Sequence, residues 1–522
     1  MKKRRLPLGV QSFSKIREAE CVYVDKTEKI YQLVTESMGP VFLTRPRRFG
    51  KSLLCSTLVE LFEGRRELFK GLAIDSLDWD WKKHPVIHID LSPADYLGGK
   101  VELLSVVRRY LNEAAERIGV QLTDDTIPGQ FQGLIINGCK SRNEKVVVII
   151  DEYDKPLLDT INDREIHEEL KNMLRGFYGV LKASDRFLRF VLLTGVTKFS
   201  QVSIFSQLNN LSDISLDSDY CDLCGITQEE MEACFEPEIE RIVADKGMDR
   251  REYVDKLRRF YNGYRFSKKD LTVYNPFGLL NHFNKHGDFG AYWFATGTPT
   301  FLIKLIEAQK VDILGLEENK ISDADFQKFD VENMNVTAVL YQSGYLTIKD
   351  YDDDVGVYTL DYPNEEVRCA FAKSLLDHFC KLPGDESSQS SIATALSGGD
   401  AEKAMNVVRT IFASIPYGIH LKDERYYQTI VHLVFRMMGL RCLSEVQTAD
   451  GRIDTLVETR RYVYCFEFKL NGSAEEALAQ IDSKDYLLPW HGSGKKLFKV
   501  GVSFDYEKRN VKEWRISEQY GA

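Results

Sequence analysis

Val41-Phe-Leu-Thr-Arg-Pro-Arg-Arg-Phe-Gly-Lys-Ser-Leu53 is an apolar run of strand length, a tight basic loop, and a helix start at Gly50-Lys51-Ser52. Phosphate recognition asks for backbone amides at a helix N-terminus, a lysine that reaches the terminal phosphates, and a hydroxyl for magnesium. Gly50, Lys51 and Ser52 supply all three. The GxxxxGK[ST] pattern expects glycine where this chain has Arg45, so the turn there lacks a residue that takes positive φ freely. Arg45, Arg47 and Arg48 give charge and bidentate donors suited to phosphate, and a plain solvated basic loop accounts for them equally well.

Working outward, Lys145-Val-Val-Val-Ile-Ile-Asp-Glu-Tyr-Asp154 is an unbroken apolar strand ending in acids, the pattern of a buried central strand that delivers carboxylates to its C-terminal edge. Asp151 is the expected magnesium ligand with Ser52, and Glu152 the residue that polarises the attacking water. Further strands are expected at Val41 to Thr44, Pro85 to Leu91 and Leu188 to Gly195. Crossover helices are expected from Lys51, near Glu102, near Gly129 and near Glu165. Thr194, at the end of the last strand, is the expected γ-phosphate sensor, although β-propensity alone also favours threonine there. The expected ligand is ATP with Mg2+, bound by Arg45, Arg47, Arg48, Gly50, Lys51, Ser52, Leu53 and Thr194.

At 522 residues the chain exceeds one core, and 43% hydrophobic and 11% aromatic residues suffice for packed domains. A net charge of -10 argues against coating nucleic acid by bulk electrostatics, while leaving room for a local basic groove. The basic start Met1 to Arg5 is followed by no apolar core of signal-peptide length, and no stretch has the ~18 apolar residues of a membrane span, so a cytoplasmic protein without membrane contact is expected. The ten cysteines are single except for Cys221 and Cys224, and no second pair offers zinc spacing. Reduced, partly buried thiols are the simpler reading.

The expected organisation is an α/β phosphate-loop domain over 1–225, a helical middle region over 226–420 and a small α/β domain over 421–522. Thr227-Gln-Glu-Glu230 signals a capping box that opens the helical part. Tyr261 to Phe266 and Tyr274 to Phe277 are turn-forming, and Pro383 to Ser391 is expected to be an exposed loop. Trp293 to Pro299 and Tyr341 to Leu346 have the aromatic and glycine spacing of base-stacking segments, against which core packing is the stronger reading. After about Asp423 the order is a helix (Arg425 to Met438), strands at Thr455 to Glu458 and Tyr462 to Lys469, a helix from Ala474 and a strand at Phe498 to Phe504.

That last region carries Gly451-Arg-Ile-Asp454 and then Tyr464-Cys-Phe-Glu-Phe-Lys469. Strand alternation sends Glu467 and Lys469 to one face. Metal-dependent phosphodiester cleavage needs carboxylates to hold magnesium or manganese and a lysine to orient water or stabilise the charged transition state. Asp454 and Glu467 as metal ligands, with Lys469, fit these roles, and Glu424 or Glu445 would add a further ligand. A surface hairpin with an ordinary Glu and Lys pair fits the same letters. No HExxH spacing and no Ser/His/Asp or Cys/His set stands out.

These segments, with Leu6 to Phe13, Val24-Asp-Lys26, Asp151 to Asp154, Tyr261 to Phe266 and Tyr274-Asn-Pro276, resemble the bacterial AAA-ATPase-like proteins that carry a C-terminal PD-(D/E)XK nuclease-like domain. The resemblance covers nearly the whole chain, and in that family the Arg-Pro-Arg-Arg-Phe-Gly-Lys-Ser loop is the usual form. It implies supporting roles for Gln480 and Tyr486. The function expected is an ATP-binding ATPase that controls a metal-dependent DNA nuclease-like domain. The alternative is a nucleotide-dependent switch or scaffold with a catalytically weak domain that only binds nucleic acid or protein. A homo-oligomer is compatible with either.

Overall fold

The computed structural model describes all residues except 1–3, 199–204, 206–207, 209, 298–299, 324–325, 327–334, 381–385, 415–423, 449–450 and 521–522. It divides into two compact units, one of residues 1–293 with 318–364 and one of 294–317 with 365–522.

The first unit is built on five parallel strands, β1 (Val41–Thr44), β2 (Val86–Asp90), β3 (Val146–Asp151), β4 (Leu188–Gly195) and β5 (Ser212–Asp213). Their order is β2-β3-β4-β1-β5. Val146, Val148 and Ile150 face a core that also holds Leu103, Val107 and Leu111 of the Lys100–Ile118 helix, Leu134 of Ile127–Arg142 and Leu170, Leu174 and Leu181 of Arg164–Ala183. The spacing of four or seven along the first and third of these helices is what places one stripe on the sheet. Alternation turns Asp151 to the other face, at the carboxyl end where loops gather.

Beyond the sheet, the Gln228–Lys246 helix opens with the expected Thr227 and Glu230 capping box. It ends at Gly247 in the left-handed region, and Asp249 caps the next helix, Arg250–Tyr261. The Tyr264 to Phe266 turn then forms a bridge with Val273. Gly263 at φ 100° is obligatory there, because a Cβ would lie 2.0 Å from the Pro363 carbonyl. This mainly helical region also holds a three-stranded antiparallel sheet, ordered β6 (Asn319–Ser322), β8 (Val357–Asp361), β7 (Thr347–Asp352), which short polar strands kept out of the sequence reading. Trp293, Tyr341 and Tyr345 are buried, as core packing requires, and 298–299 of that aromatic segment lie outside the described residues.

The second unit carries a mixed sheet of β9 (Arg441–Thr448), β10 (Gly451–Glu458), β11 (Tyr462–Leu470), β12 (Lys496–Asp505) and β13 (Asn510–Tyr520), in the order β13-β12-β11-β10-β9. β11 and β12 are parallel and the other pairs antiparallel. The Glu424–Met437 helix packs Phe435 against Phe466 at a tilt, and the Ala474–Ser483 helix places Ile481 in a cluster with Val463, Cys465 and Leu497. One expectation is corrected: Glu386–Ser397 is a helix, so Glu386 to Ser391 is not a loop. Ile392, Ala395 and Leu396 give it a buried face that the polar Ser and Gln run conceals.

Candidate nucleotide site and candidate metal centre

The loop after β1 turns into the Lys51–Phe62 helix through Gly50, whose φ of 98° caps it. Within the loop, positive φ falls at Arg48 (67°) and Gly50, not at Arg45, so position 45 makes no demand for glycine. Lys51 is buried, and its Nζ donates to the carbonyls of Arg45 (3.1 Å) and Pro46 (3.4 Å) and pairs with Glu152 Oε1 at 3.3 Å. Burial alone would lower the Lys51 ammonium, but the carboxylates of Glu152, Asp151 and Asp154 outweigh it and hold its pKa above the ordinary value.

The acidic strand end is rigidly built. Thr194 Oγ1 donates to Asp151 Oδ1, across the register that sets β3 beside β4. Asp154 is fully buried and accepts from Val196 N, Thr197 N (2.7 Å) and Thr197 Oγ1 (2.7 Å), tying the two strand ends together. Burial first, and the Glu152 charge second, push the Asp154 carboxyl up to about 6. Glu152 takes a φ of 54°, a costly backbone state for a non-glycine residue that is concentrated at functional sites. Lys51, Asp151, Glu152 and Thr194 are therefore gathered at one point.

The three arginines part company. Arg47 and Arg48 are exposed, with Arg48 5.0 Å from the Phe277 ring centre. Arg45 is buried and its guanidinium is directed at backbone carbonyls and Phe266. Ser52 and Leu53 are half-buried on the first helical turn. Residues that the sequence reading assigned to a turn and to core packing hold the loop from behind: Tyr264 and Phe266 pack edge-on against Phe49, and Trp293 Nε1 donates to the Arg47 carbonyl at 2.9 Å.

In the second unit, β10 pairs with β11 from Glu458 and Val463 to Thr455 and Phe466. The strands then part. The N–H groups of Phe468 and Leu470 beyond that point are satisfied instead by Asp454 Oδ2 (2.8 Å) and Glu424 Oε2 (2.7 Å). Buried backbone donors have thus been exchanged for carboxylates at the place where the strands splay. The β9 to β10 ladder runs on either side of Asp454, and Glu445 opposite takes a φ of 57°. Gln428, a residue not singled out from sequence, donates to Glu445 Oε1 (2.9 Å) and to the Asp454 carbonyl (2.8 Å).

Glu467 is 1% exposed; its Oε1 accepts from Lys469 Nζ at 3.2 Å and its Oε2 is buried without a hydrogen-bond partner. Burial, then the Asp454 charge, push Glu467 up to about 7. Burial pushes Asp454 up to about 6, with Glu424 and Glu445 adding to it against the Phe468 N–H and Lys469. Among the described residues, no group of three or more His, Cys, Asp or Glu side chains is gathered at metal-holding spacing. Two mutually repelling carboxylates and an orphaned buried oxygen nevertheless fit magnesium, which takes one or two carboxylates and keeps several waters. Gln480 Nε2 lies 3.4 Å from the Tyr486 hydroxyl, and that ring abuts Gly451 at the start of β10.

A phosphate loop with its acidic strand end, and a second domain with paired carboxylates and a lysine on splayed strands, define an ATPase-like protein joined to a nuclease-like one. Residues 7–205 match the family described as predicted AAA-ATPase, and 422–514 match the PD-(D/E)XK nuclease superfamily. The chain is also similar to the "Uncharacterized protein in vnfD 5'region" of Azotobacter chroococcum mcd 1, being 39% identical over 530 residues that cover 98% of each chain. It belongs to the family of AAA-ATPase-like proteins with a C-terminal PD-(D/E)XK nuclease-like domain. Among the described residues, no helix is long and apolar enough to cross a membrane.

Proposed function

We propose that this protein binds and hydrolyses ATP at Arg45 to Ser52, and that nucleotide state controls metal-dependent DNA cleavage at Asp454, Glu467 and Lys469. The observation that carries the reading is Glu467, a carboxylate buried with one oxygen unpartnered beside a second carboxylate and a lysine. Such a group is costly unless a cation joins it. Magnesium or manganese held there by Asp454 and Glu467 supplies a Lewis acid for phosphate oxygens. Lys469 orients the attacking water or faces the negative charge that develops on phosphorus.

At the nucleotide site, amides from Gly50 to Ser52 and the Lys51 ammonium hold phosphate oxygens, while Ser52 and Asp151 are the residues that would hold magnesium. Thr194 keeps Asp151 in orientation. Lys51 already has Glu152 as a partner, so phosphate oxygens and Glu152 compete for one ammonium. ATP binding therefore frees Glu152 to take the proton of the attacking water.

One observation favours the second reading, a nucleotide-dependent switch with a weak cleavage site: no three-ligand group is preassembled among the described residues. A cleavage assay separates the two. Full-length protein is incubated with single- and double-stranded DNA, with Mg2+ or Mn2+, with and without ATP, beside Lys469→Ala. Metal-dependent cutting that ATP changes several-fold and Lys469→Ala abolishes is the expected result. Identical behaviour of the two proteins under every condition rules out nuclease control, and ATP hydrolysis that persists alongside it leaves the switch.

A further inference from the structure

Arg45 stands where a phosphate loop ordinarily has glycine, and its surroundings are those of a structural cation rather than a phosphate ligand. It is 1% exposed. Nη1 donates to the carbonyls of Thr44 (2.8 Å) and Ser215 (2.8 Å), and Nη2 to that of Tyr220 (3.1 Å). The guanidinium carbon sits 4.3 Å from the Phe266 ring centre, and Nε is buried without a hydrogen-bond partner. Burial lowers its pKa, and Asp213, a nearby acid, is engaged by Lys198 Nζ (2.6 Å) and Ser215 N (2.9 Å).

The segment that Arg45 grips also grips the loop's other end. Gly225 N donates to the Phe49 carbonyl at 3.2 Å, and the Phe49 ring lies against Tyr264 and Phe266. Both ends of the loop are thus fastened to residues 215–225 and 264–266, more than 160 positions away in the chain. A planar fork that serves three carbonyls under an aromatic ring is a task for arginine and not for lysine, whose ammonium is a compact point charge.

We propose that Arg45 is a positioning residue, which holds the phosphate loop in its binding shape by clamping residues 44, 215 and 220 beneath Phe266 and does not itself contact phosphate. This rests on the reading of Arg45 to Ser52 as the ATP site. The Tyr261 to Phe266 motif thereby gains a role as the outer jaw of the clamp.

The test is equilibrium binding of ATP and of ADP, each with Mg2+, to the full-length wild type, Arg45→Lys, Phe266→Leu and the double variant, with thermal melts alongside. Each single variant is expected to weaken both nucleotides by the same factor, roughly tenfold or more, because misplacing a recognition element by about 1 Å costs that order. The double variant is expected to be little worse than either, since both remove one clamp. A direct phosphate contact would instead weaken ATP far more than ADP, or leave Phe266→Leu unchanged, or make the two losses add; any of these overturns the proposal. A purely structural role overturns it too, and shows as a lower melting temperature with unaltered affinity of the folded fraction. Where Arg45→Lys does not fold, Phe266→Leu carries the comparison, and equal loss of ATP and ADP supports the clamp. Wild-type protein that binds neither nucleotide overturns the ATP-site reading and this proposal together, whereas tight wild-type binding with unaffected variants removes only the clamp.

Discussion

Lys51→Ala is expected to weaken ATP binding by about 100-fold or more, and Glu152→Gln to leave binding intact while lowering hydrolysis by about 10² to 10⁴. The two substitutions break the same ion pair from opposite sides, yet their consequences differ. Removing Lys51 deletes the cation that phosphate needs and leaves Glu152, Asp151 and Asp154 facing one another without a counter-charge. Breaking a buried pair in this way costs on the order of 3 kcal/mol, so the variant also melts earlier at neutral pH. Neutralising Glu152 removes phosphate's competitor for the ammonium, so affinity holds or rises. Calorimetric titration with ATP and a steady-state hydrolysis assay check both. Equal loss of ATP affinity in the two variants would mean that the pair merely props the loop.

Glu467→Gln should abolish cleavage and, at the same time, stabilise the metal-free protein at pH 8. The Glu467 carboxyl holds its proton up to about pH 7 when folded, against an ordinary value of 4.5. Between those values the folded state binds more protons than the unfolded one, so stability falls as pH rises and the loss is complete above pH 7. The shift corresponds to on the order of 3 kcal/mol, less if Asp454 titrates with it as a pair. Glutamine lacks this penalty. In melting experiments the variant should exceed wild type at pH 8 and match it near pH 4.5. Mn2+ should raise the melting temperature of wild type more at pH 8 than at pH 5.5, and should not shift the variant. A variant that is less stable at pH 8, together with wild type indifferent to Mn2+, would remove the metal centre.

Much of the sheet architecture could be read directly from the chain. β1 and β4 lie where their apolar runs predict, and β2 and β3 agree to within a residue at each end, because strands buried on both faces are written as uninterrupted Val, Ile and Leu. β9 and β13 are written differently. Arg441-Cys-Leu-Ser-Glu-Val-Gln-Thr448 and Asn510-Val-Lys-Glu-Trp-Arg-Ile-Ser-Glu-Gln-Tyr520 are edge strands rich in polar residues, and that composition resembles loop. At the sites, local spacing was informative and long-range pairing was not. Glu467 and Lys469 share a face by simple alternation, whereas the hydrogen bonds of Gln428 to Glu445 and Asp454 join a helix to two strands. Arg45 is the clearest case: an arginine in a basic loop suggests phosphate, and only the fold reveals carbonyls 170 and 175 positions downstream as its partners.

The indole of Trp293 has a consequence outside stability and catalysis. Its Nε1 donates to the Arg47 carbonyl, and its ring lies tilted at 5.5 Å from Tyr345 and edge-on at 6.2 Å from Tyr264. With five tryptophans in the chain, one is wired directly to the loop backbone. The protein therefore carries its own optical probe: when the loop carbonyl shifts around a ligand, the emission of this ring changes without any attached dye, and a Trp293→Phe protein gives the background to subtract.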